Sequence, residues 1–439
     1  MPHMIDDARQ AALSALKSIR EGGYANLVVK QAADGWDLTP IDAAFVTELV
    51  FGVCRHMGTL DLIIEQASGR RLATLQPAVV DVLRLGTEQI LKMRVPSHAA
   101  VSSSVDLAGV RIGRRVTGVV NAILRKVARQ DWDEWVAEVT RQMSPREALG
   151  VRTCHPTWIV DAYADVLPSE ELEEALEANN VAPVPTLVVR PGLISREELL
   201  ESGGEPTPFS DWGVIRPGDP AQVLAVRDGR AGVQDEGSQL VAGVLAGADA
   251  PAGPWLDMCA GPGGKAALLT GLAHRDEEEV IAAEFHPHRA QLVVDALRAY
   301  GEAPVIVADG RQPAWGPVFS RVLVDAPCTG LGALRRRPEA RWRKQESDLG
   351  KLTALQKDLL ATACQSVVPG GVVAYVTCSP HLAETRDVVD SVSGAEILDA
   401  PKLLAQVGRA EAESDPRFIQ LWPHRHGTDA MFCAVLRRM

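Results

Sequence analysis

From about residue 233 onward the chain repeats one pattern: a short β-branched apolar run, a turn, then a helical stretch. The runs are Trp255-Leu-Asp257, Glu279-Val-Ile-Ala-Ala283, Pro304-Val-Ile-Val-Ala308, Arg321-Val-Leu-Val324 and Gly371-Val-Val-Ala-Tyr-Val376. Runs this short and this apolar read as strands with both faces buried. Their alternation with helices predicts a mainly parallel sheet covered on both sides, an α/β domain over residues 231–439. In such a sheet ligands bind outside the carboxyl ends of the strands. Chemistry is therefore to be sought where each of these runs stops.

The rest of the chain reads differently. Residues 1–140 are a run of helices: Ala8–Ile19, Asp42–Met57 with Phe45, Leu49, Val50 and Val53 on one stripe, Pro77–Met93 with its proline in the first turn, and Val119–Ala128 after Gly118. Residues 141–230 begin acidic and helical. They then become proline-rich, with Pro183, Pro185, Pro191, Pro206, Pro208, Pro217 and Pro220, as a small α+β module and connector would. At 439 residues, two or three domains with separate cores are expected.

The net charge of −12 is unevenly placed. Residues 1–130 hold 16 Lys and Arg against 12 Asp and Glu; the remainder holds 29 against 45. Arg111, Arg114, Arg115, Arg125, Lys126 and Arg129 fall within one stretch that has no acid, a density suited to a phosphate backbone or to a solvated helix face. The seven cysteines are scattered singly and form no C-x-x-C pair. Neither a zinc knuckle nor a disulfide framework is indicated, no metal is expected, and free thiols suit a reducing cytoplasm. No apolar stretch is long enough for a membrane span, and Asp6 and Asp7 near the start are unlike a signal peptide.

Two strand ends stand out. Asp257-Met-Cys259-Ala260-Gly261-Pro262-Gly263-Gly264-Lys265 is a glycine turn of the G-x-G-x-x-A type opening a helix, where backbone can approach a ligand closely. Glu284 closes the next strand, the place for an acid that binds a ribose diol. Asp309, ending the third strand, is placed to accept from an adenine amino group. The fingerprint alone fits NAD, FAD and S-adenosylmethionine equally, and Ala266 after Lys265 argues against a phosphate-binding Walker loop. The second feature is a pair of thiols: Cys328 in Asp325-Ala-Pro-Cys328-Thr-Gly, and Cys378 in Val376-Thr-Cys378-Ser-Pro380. Each follows a strand on the ligand side of the sheet, whereas Cys54, Cys364 and Cys433 sit in apolar contexts as core filler. A thiol nucleophile beside a cofactor is the reading both features support.

Together, Asp325-Ala-Pro-Cys328-Thr-Gly-Leu-Gly332 and Thr377-Cys378-Ser379 resemble the Fmu/Sun family of RNA cytosine carbon-5 methyltransferases. The glycine turn is similar to that family's S-adenosylmethionine motif, with Gly261 where Ala is frequent. Val233-Gln-Asp-Glu-Gly-Ser-Gln239 and Trp422-Pro-His-Arg-His-Gly-Thr-Asp429 look like further family blocks. Tyr24-Ala-Asn-Leu27, Glu48-Leu-Val-Phe-Gly52, Arg94-Val-Pro96 and Val120-Asn-Ala-Ile-Leu-Arg125-Lys126 resemble a NusB-like RNA-binding domain. After Cys378 the chain reads Pro380-His381-Leu-Ala-Glu384-Thr385, where many members have Glu-Glu-Asn.

The resemblance implies a multidomain chain: an all-α NusB-like domain at 1–140, a small α+β RNA-contacting module at 141–230, and a Rossmann-like S-adenosylmethionine-dependent methyltransferase domain at 231–439. It implies that Cys378 attacks carbon 6 of a cytosine, that Cys328 assists release, that Asp325 holds the base and that Lys265 supports the cofactor pocket. Cys259, Ala260, Gly261, Pro262, Gly263, Gly264, Lys265, Glu284, Asp309 and Asp325 would bind the cofactor. Arg335, Arg336, Arg337, Arg341, Arg343 and Lys344, with Trp342 among them, would line the path of a single strand, and Arg125 and Lys126 would contact RNA from the helical domain. The expected partner is small-subunit ribosomal RNA or a pre-ribosomal particle, met by a monomer. A nicotinamide oxidoreductase gives no role to two strand-end thiols, and a non-catalytic assembly factor gives none to Asp325, Cys328 and Cys378.

Overall fold

The computed structural model of the chain describes residues 6–301, 303–408, 415 and 417–439. It has two compact units. One runs to Val181 and takes in Leu334–Lys344; the other comprises Ala182–Ala333 and Gln345–Met439.

The first unit is helical: α1 (Asp7–Arg20), α2 (Ala25–Gly35), α3 (Pro40–Ser68), α4 (Pro77–Leu91), α5 (Ser97–Arg111), α6 (Arg114–Val127), α7 (Trp132–Thr140), α8 (Pro145–Arg152), α9 (Thr157–Ala164) and α10 (Leu172–Ala178). Local chemistry sets several ends. Thr39 caps α3 with Pro40 in the first turn, and Asp131 and Ser144 close capping boxes with Glu134 and Glu147. Leu49, Val50, Leu60, Ile63, Leu83 and Leu124 are fully buried in its core, each worth about 1.5–3 kcal/mol of apolar burial.

Two helices exceed their expected bounds. The α3 helix continues past Met57 because Leu60, Ile63, Ile64 and Ala67 extend its buried face, and it ends at Gly69 in a left-handed cap; Gly58 leaves room for the Trp342 ring, which a Cβ there would approach to 2.3 Å. The α6 helix begins at Arg114, after Gly113 at φ +135°, and carries Gly118 in its interior rather than before its start.

The second unit holds two sheets. A small antiparallel sheet, in the order β2-β3-β1-β4, is built from β1 (Thr186–Val189), β2 (Glu205–Pro206), β3 (Gly213–Ile215) and β4 (Ala231–Val233), with the short helices α11 (Arg196–Leu200) and α12 (Leu224–Arg227) between strands. The large sheet is eight-stranded. Its parallel part is β5 (Trp255–Asp257), β6 (Val280–Glu284), β7 (Val305–Val307), β8 (Phe319–Asp325) and β9 (Val367–Thr377), the five runs expected. Beyond β9 the sheet turns antiparallel, with β12 (Phe432–Arg438) against β9, and β10 (Ala395–Ile397) and β11 (Phe418–Gln420) against β12. Helices α13 (Glu236–Gly247), α14 (Gly264–Arg275) and α15 (Pro287–Leu297) pack in this unit. The chain then passes through α16 (Ala340–Arg343), which belongs to the helical unit, and returns with α17 (Leu349–Ser366).

The strand order β9-β8-β5-β6-β7 places the reversal of chain direction between β5 and β8. Connections from β5 run one way and those from β8 the other, which opens a crevice at their carboxyl ends.

The expected middle module is divided by this folding. Its helices α8–α10 join the first unit, where the Thr59 hydroxyl of α3 donates to the Val151 carbonyl of α8 at 2.7 Å. The small sheet joins the second. There Glu236, at the start of α13, accepts from the backbone N–H groups of Phe209 and Ser210 at 2.6 and 2.7 Å.

Candidate active site

At the crevice, β5 ends on Asp257 and residues 258–263 turn the chain into α14. Gly263 sits at φ +104°, a conformation open to glycine, and a Cβ there would lie 2.5 Å from the Ala296 side chain. Gly261 is held from two sides: its N–H donates to Glu284 at 3.1 Å and its carbonyl accepts from Arg289 at 2.5 Å. Glu284 ends β6, is 3% exposed, and also accepts from the His286 N–H at 2.9 Å.

The residues of this cradle fit a small polar ligand carrying an anion. The first turn of α14 has no side-chain cap, so its free N–H groups face the turn. Beside Gly264 lies the buried amide of Gln234, and neither its Oε1 nor its Nε2 has a hydrogen-bond partner. A buried amide without partners is costly unless a ligand meets it. Cys259, Ala260 and Pro262 line the same turn as expected. Burial pushes the Cys259 thiol above its ordinary range, so it stays protonated.

Lys265, one residue into α14, donates to Asp325 at the end of β8 at 2.8 Å, and its second neighbour is the Ser238 hydroxyl at 3.4 Å. Burial works against its ammonium, but Asp325 outweighs burial and the Lys265 pKa is raised. The same crowding acts on Asp257: burial, then the charge of Asp325, pushes its carboxyl up to about 7.

The two thiols meet. Cys328 Sγ and Cys378 Sγ are 3.5 Å apart, although 50 residues separate them. The hydrogen bond from Cys328 holds the Cys378 thiol below its ordinary range, and the same contact, with burial, holds Cys328 above it. The pair thus favours a thiolate on Cys378 and a proton on Cys328. Their loops are joined further by the Gly332 N–H donating to the Cys378 carbonyl at 2.8 Å, and by the hydroxyls of Thr329 and Ser379 at 3.3 Å.

Several expected residues stand elsewhere. Asp309 is engaged by Arg311, whose guanidinium reaches both carboxylate oxygens at 2.9 and 2.6 Å and lowers its pKa. The basic segment after Cys328 is corrected most. Arg341 is fully buried in the helical unit, donating to the carbonyls of Cys154 and Asn179 and to the Asn180 side chain at 2.9, 3.2 and 2.8 Å. Trp342 donates to the Cys54 carbonyl at 2.7 Å, and Arg343 to the carbonyls of Ile19 and Gly23 at 3.0 and 2.7 Å. These side chains fasten a strap; Arg341 in particular does not face solvent, as a strand-binding residue would. Arg335 is also largely buried, Lys344 is half-buried, and Arg336 and Arg337 are exposed. On α6, Arg125 and Lys126 are exposed, and Arg125 lines a groove of about 400 Å³ with His98, Asp106 and Asn121.

Sequence reasoning missed Gln234 and Glu384. Gln234 lay in a recognised block with no role attached. Glu384 reaches Thr329 across 55 residues, which no local pattern reveals. Among the described residues, no helix is long and apolar enough to cross a membrane, and no cluster of three His, Cys, Asp or Glu could hold a metal ion.

Comparison with known proteins accords with this geometry. The family of 16S rRNA methyltransferases RsmB/F matches residues 244–437, and the NusB family matches residues 6–129. A protein of Mycobacterium tuberculosis named as a methyltransferase (Rv1407) is 45% identical, over 99% of this chain and 97% of its own. Ribosomal RNA small subunit methyltransferase B of Escherichia coli O6:K15:H31 is 33% identical, over 77% of this chain and 79% of its own. Among solved structures, PH0851 is similar in fold with a TM-score of 0.82 at 22% identity, covering 98% of both chains. NSun6 from Pyrococcus horikoshii, solved with SFG, gives 0.54 at 18% identity over 64% of this chain and 98% of its own.

Proposed function

The chain belongs to the 16S rRNA methyltransferase RsmB/F family, with a NusB domain before the catalytic one, and from that premise we propose that it methylates carbon 5 of a cytosine in small-subunit ribosomal RNA through a covalent adduct on Cys378. Methylation of ribosomal RNA with S-adenosylmethionine is the family's activity. The target atom and the adduct rest on one observation above all: two thiols 3.5 Å apart at the carboxyl edge of the sheet that also bears the Lys265–Asp325 pair.

When bound, S-adenosylmethionine supplies a methyl group made electrophilic by its sulfonium. Gly261, Gly263 and Gly264 with the first turn of α14 would cradle it, Glu284 would meet its ribose, and the Gln234 amide its amino-acid end. Carbon 5 of cytosine is a poor nucleophile until a thiolate adds to carbon 6. Cys378 is that thiolate, favoured by the hydrogen bond from Cys328. Asp325 holds the ring nitrogen and exocyclic amine of the base, and Lys265 orients Asp325. Once carbon 5 carries the methyl group, its proton leaves to water and the electrons of that C–H bond restore the 5,6 double bond. The carbon 6–sulfur bond breaks with its electron pair on the Cys378 sulfur, which leaves as the thiolate that the hydrogen bond from Cys328 favours. The target must be out of its stack to reach the sheet edge, so looped or single-stranded RNA, free or in an assembling particle, is the substrate form. The exposed Arg125 and Lys126 serve as phosphate contacts, Arg336 and Arg337 lie on the solvent side of the strap, and the enzyme works as a cytoplasmic monomer.

The test is to incubate the protein with tritiated S-adenosylmethionine and unmodified small-subunit ribosomal RNA, then digest to nucleosides. Label in 5-methylcytidine is expected. Cys378→Ala should lose both the label and any denaturation-stable RNA complex, whereas Cys328→Ala should retain the complex and stall. Normal turnover by Cys378→Ala would remove the proposal.

A further inference from the structure

Past Cys378 the chain reads Pro380-His381-Leu-Ala-Glu384-Thr385, and the structure shows what the acid in this segment holds. Glu384 is fully buried and its carboxylate is filled with donors. Oε1 accepts from the Thr329 backbone N–H at 2.8 Å and from the Gln356 amide at 3.1 Å, while Oε2 accepts from the Thr329 hydroxyl. Gln356, fully buried on α17, also donates to the Pro327 carbonyl at 2.8 Å. Tyr375, on the strand that delivers Cys378, donates its hydroxyl to the Glu384 carbonyl at 2.7 Å. The residues on both sides of Cys328, Pro327 and Thr329, are therefore tied to Glu384, six residues beyond Cys378 in the chain.

We propose that Glu384 is the positioning residue that keeps the Cys328 thiol in register with Cys378, so that the covalent RNA adduct can be released. The inference rests on the roles assigned above to the two thiols. It follows from what a carboxylate can do: it offers acceptors only, and here it gathers three buried donors around the Cys328 loop. The Cys328 loop opens with Pro327 and ends in Gly330 at φ +78°, and has no strand or helix of its own through Cys328 to hold it. Its shape is set by these bonds. Glu384 acts mainly on one half of the reaction. Cys378 sits at the end of β9, held by the sheet, so without Glu384 its attack loses only the hydrogen bond that favours its thiolate, and methyl transfer follows. Release loses more, because the sulfur departs as a thiolate and the Cys328 S–H is the donor that meets it. The charge of Glu384 is also among the causes, after the Cys378 hydrogen bond and burial, that keep Cys328 protonated.

Glu384→Gln keeps the side chain's shape but turns an N–H group toward the donors of Thr329. Thr329→Val, a second variant, keeps shape and removes the hydroxyl. Each is compared with Cys328→Ala for melting temperature, single-turnover methyl transfer, steady-state turnover, and the fraction of RNA held in a denaturation-stable complex. For Glu384→Gln the expected result is a folded protein whose first turnover is within about threefold of normal. Its steady-state rate should fall roughly tenfold or more, and stable complex should accumulate as in Cys328→Ala. Thr329→Val should show the same pattern more weakly. Equal loss of both rates without accumulated complex, in both variants, would make Glu384 a folding residue and overturn the proposal. So would wild-type turnover by Glu384→Gln. Failure of Cys328→Ala itself to trap complex would instead sink the two-thiol reading, and this proposal with it.

Discussion

Cys328 and Cys378 are chemically the same residue, and only their surroundings give them different work. The sulfur that receives a hydrogen bond ionises more readily; the sulfur that donates it holds its proton. Removing the donor should therefore raise the Cys378 pKa toward that of an ordinary thiol. In a Cys328→Ala variant, the rate of Cys378 alkylation by iodoacetamide, followed site by site with mass spectrometry, should rise with pH along a curve displaced to higher pH. Below the ordinary thiol range the wild-type residue should react faster; well above it the two should converge. Coincident curves would mean that Cys328 does not activate its neighbour. Gln234 offers a similar local test. Its Leu variant should lose affinity for S-adenosylhomocysteine and keep it for methylthioadenosine, which lacks the amino-acid end. Equal titration calorimetry for both ligands in variant and wild type would show that the orphan amide faces something else.

Turns and straps carry the next level of organisation. The turn into α14 depends on glycine at Gly263, for its positive φ and for the Ala296 side chain lying 2.5 Å from where a Cβ would be. Gly263→Ala should fold with a small loss of stability, about 1 kcal/mol or more. It should also weaken S-adenosylhomocysteine binding, measurable by calorimetry, because the helix N-terminus is displaced. The strap at residues 334–344 shows how a basic segment can be structural. The Arg341 guanidinium is fully buried, and its two terminal nitrogens donate to carbonyl and amide oxygens. Arg341→Ala would leave those acceptors buried without partners. A loss of about 3 kcal/mol or more is expected in denaturant unfolding of the helical unit. A change of a few tenths would show that the acceptors rehydrate freely.

Over the whole molecule, the acidic net charge and the basic stretch on α6 have opposite consequences. Arg111, Arg114, Arg115, Arg125, Lys126 and Arg129 are all exposed, unlike the buried Arg341. Against a single-stranded ribosomal RNA fragment, the slope of log affinity with log salt should fall by about 0.7 for each phosphate that the protein no longer neutralises. Arg125→Gln with Lys126→Gln should thus flatten the slope by roughly one unit or slightly more. An unchanged slope would place the RNA elsewhere. The chain itself is also shared unevenly: a strap that lies between Cys328 and α17 in sequence is built into the helical unit, so the two units cannot be separated by a single cut.

The sequence by itself determined the parallel strands, the glycine turn, the acid ending β6 and the strand-end place of both thiols. Each is written within a few neighbouring residues, as a β-branched run, a positive φ that demands glycine, or a Pro-Cys or Thr-Cys at a strand end. Helix α6 was legible apart from its start, because Gly118 is a common helix boundary and only packing shows that Gly113 is the real one. Tertiary structure alone decided that Cys328 and Cys378 touch and that Glu384 closes on Thr329. It also turned Arg341 from a surface charge into a buried anchor. The meeting of the two thiols and the reach of Glu384 depend on which chain segments come together across 50 residues or more, and residue type does not encode a partner. An arginine reads the same in sequence whether its five donors meet phosphate or backbone carbonyls.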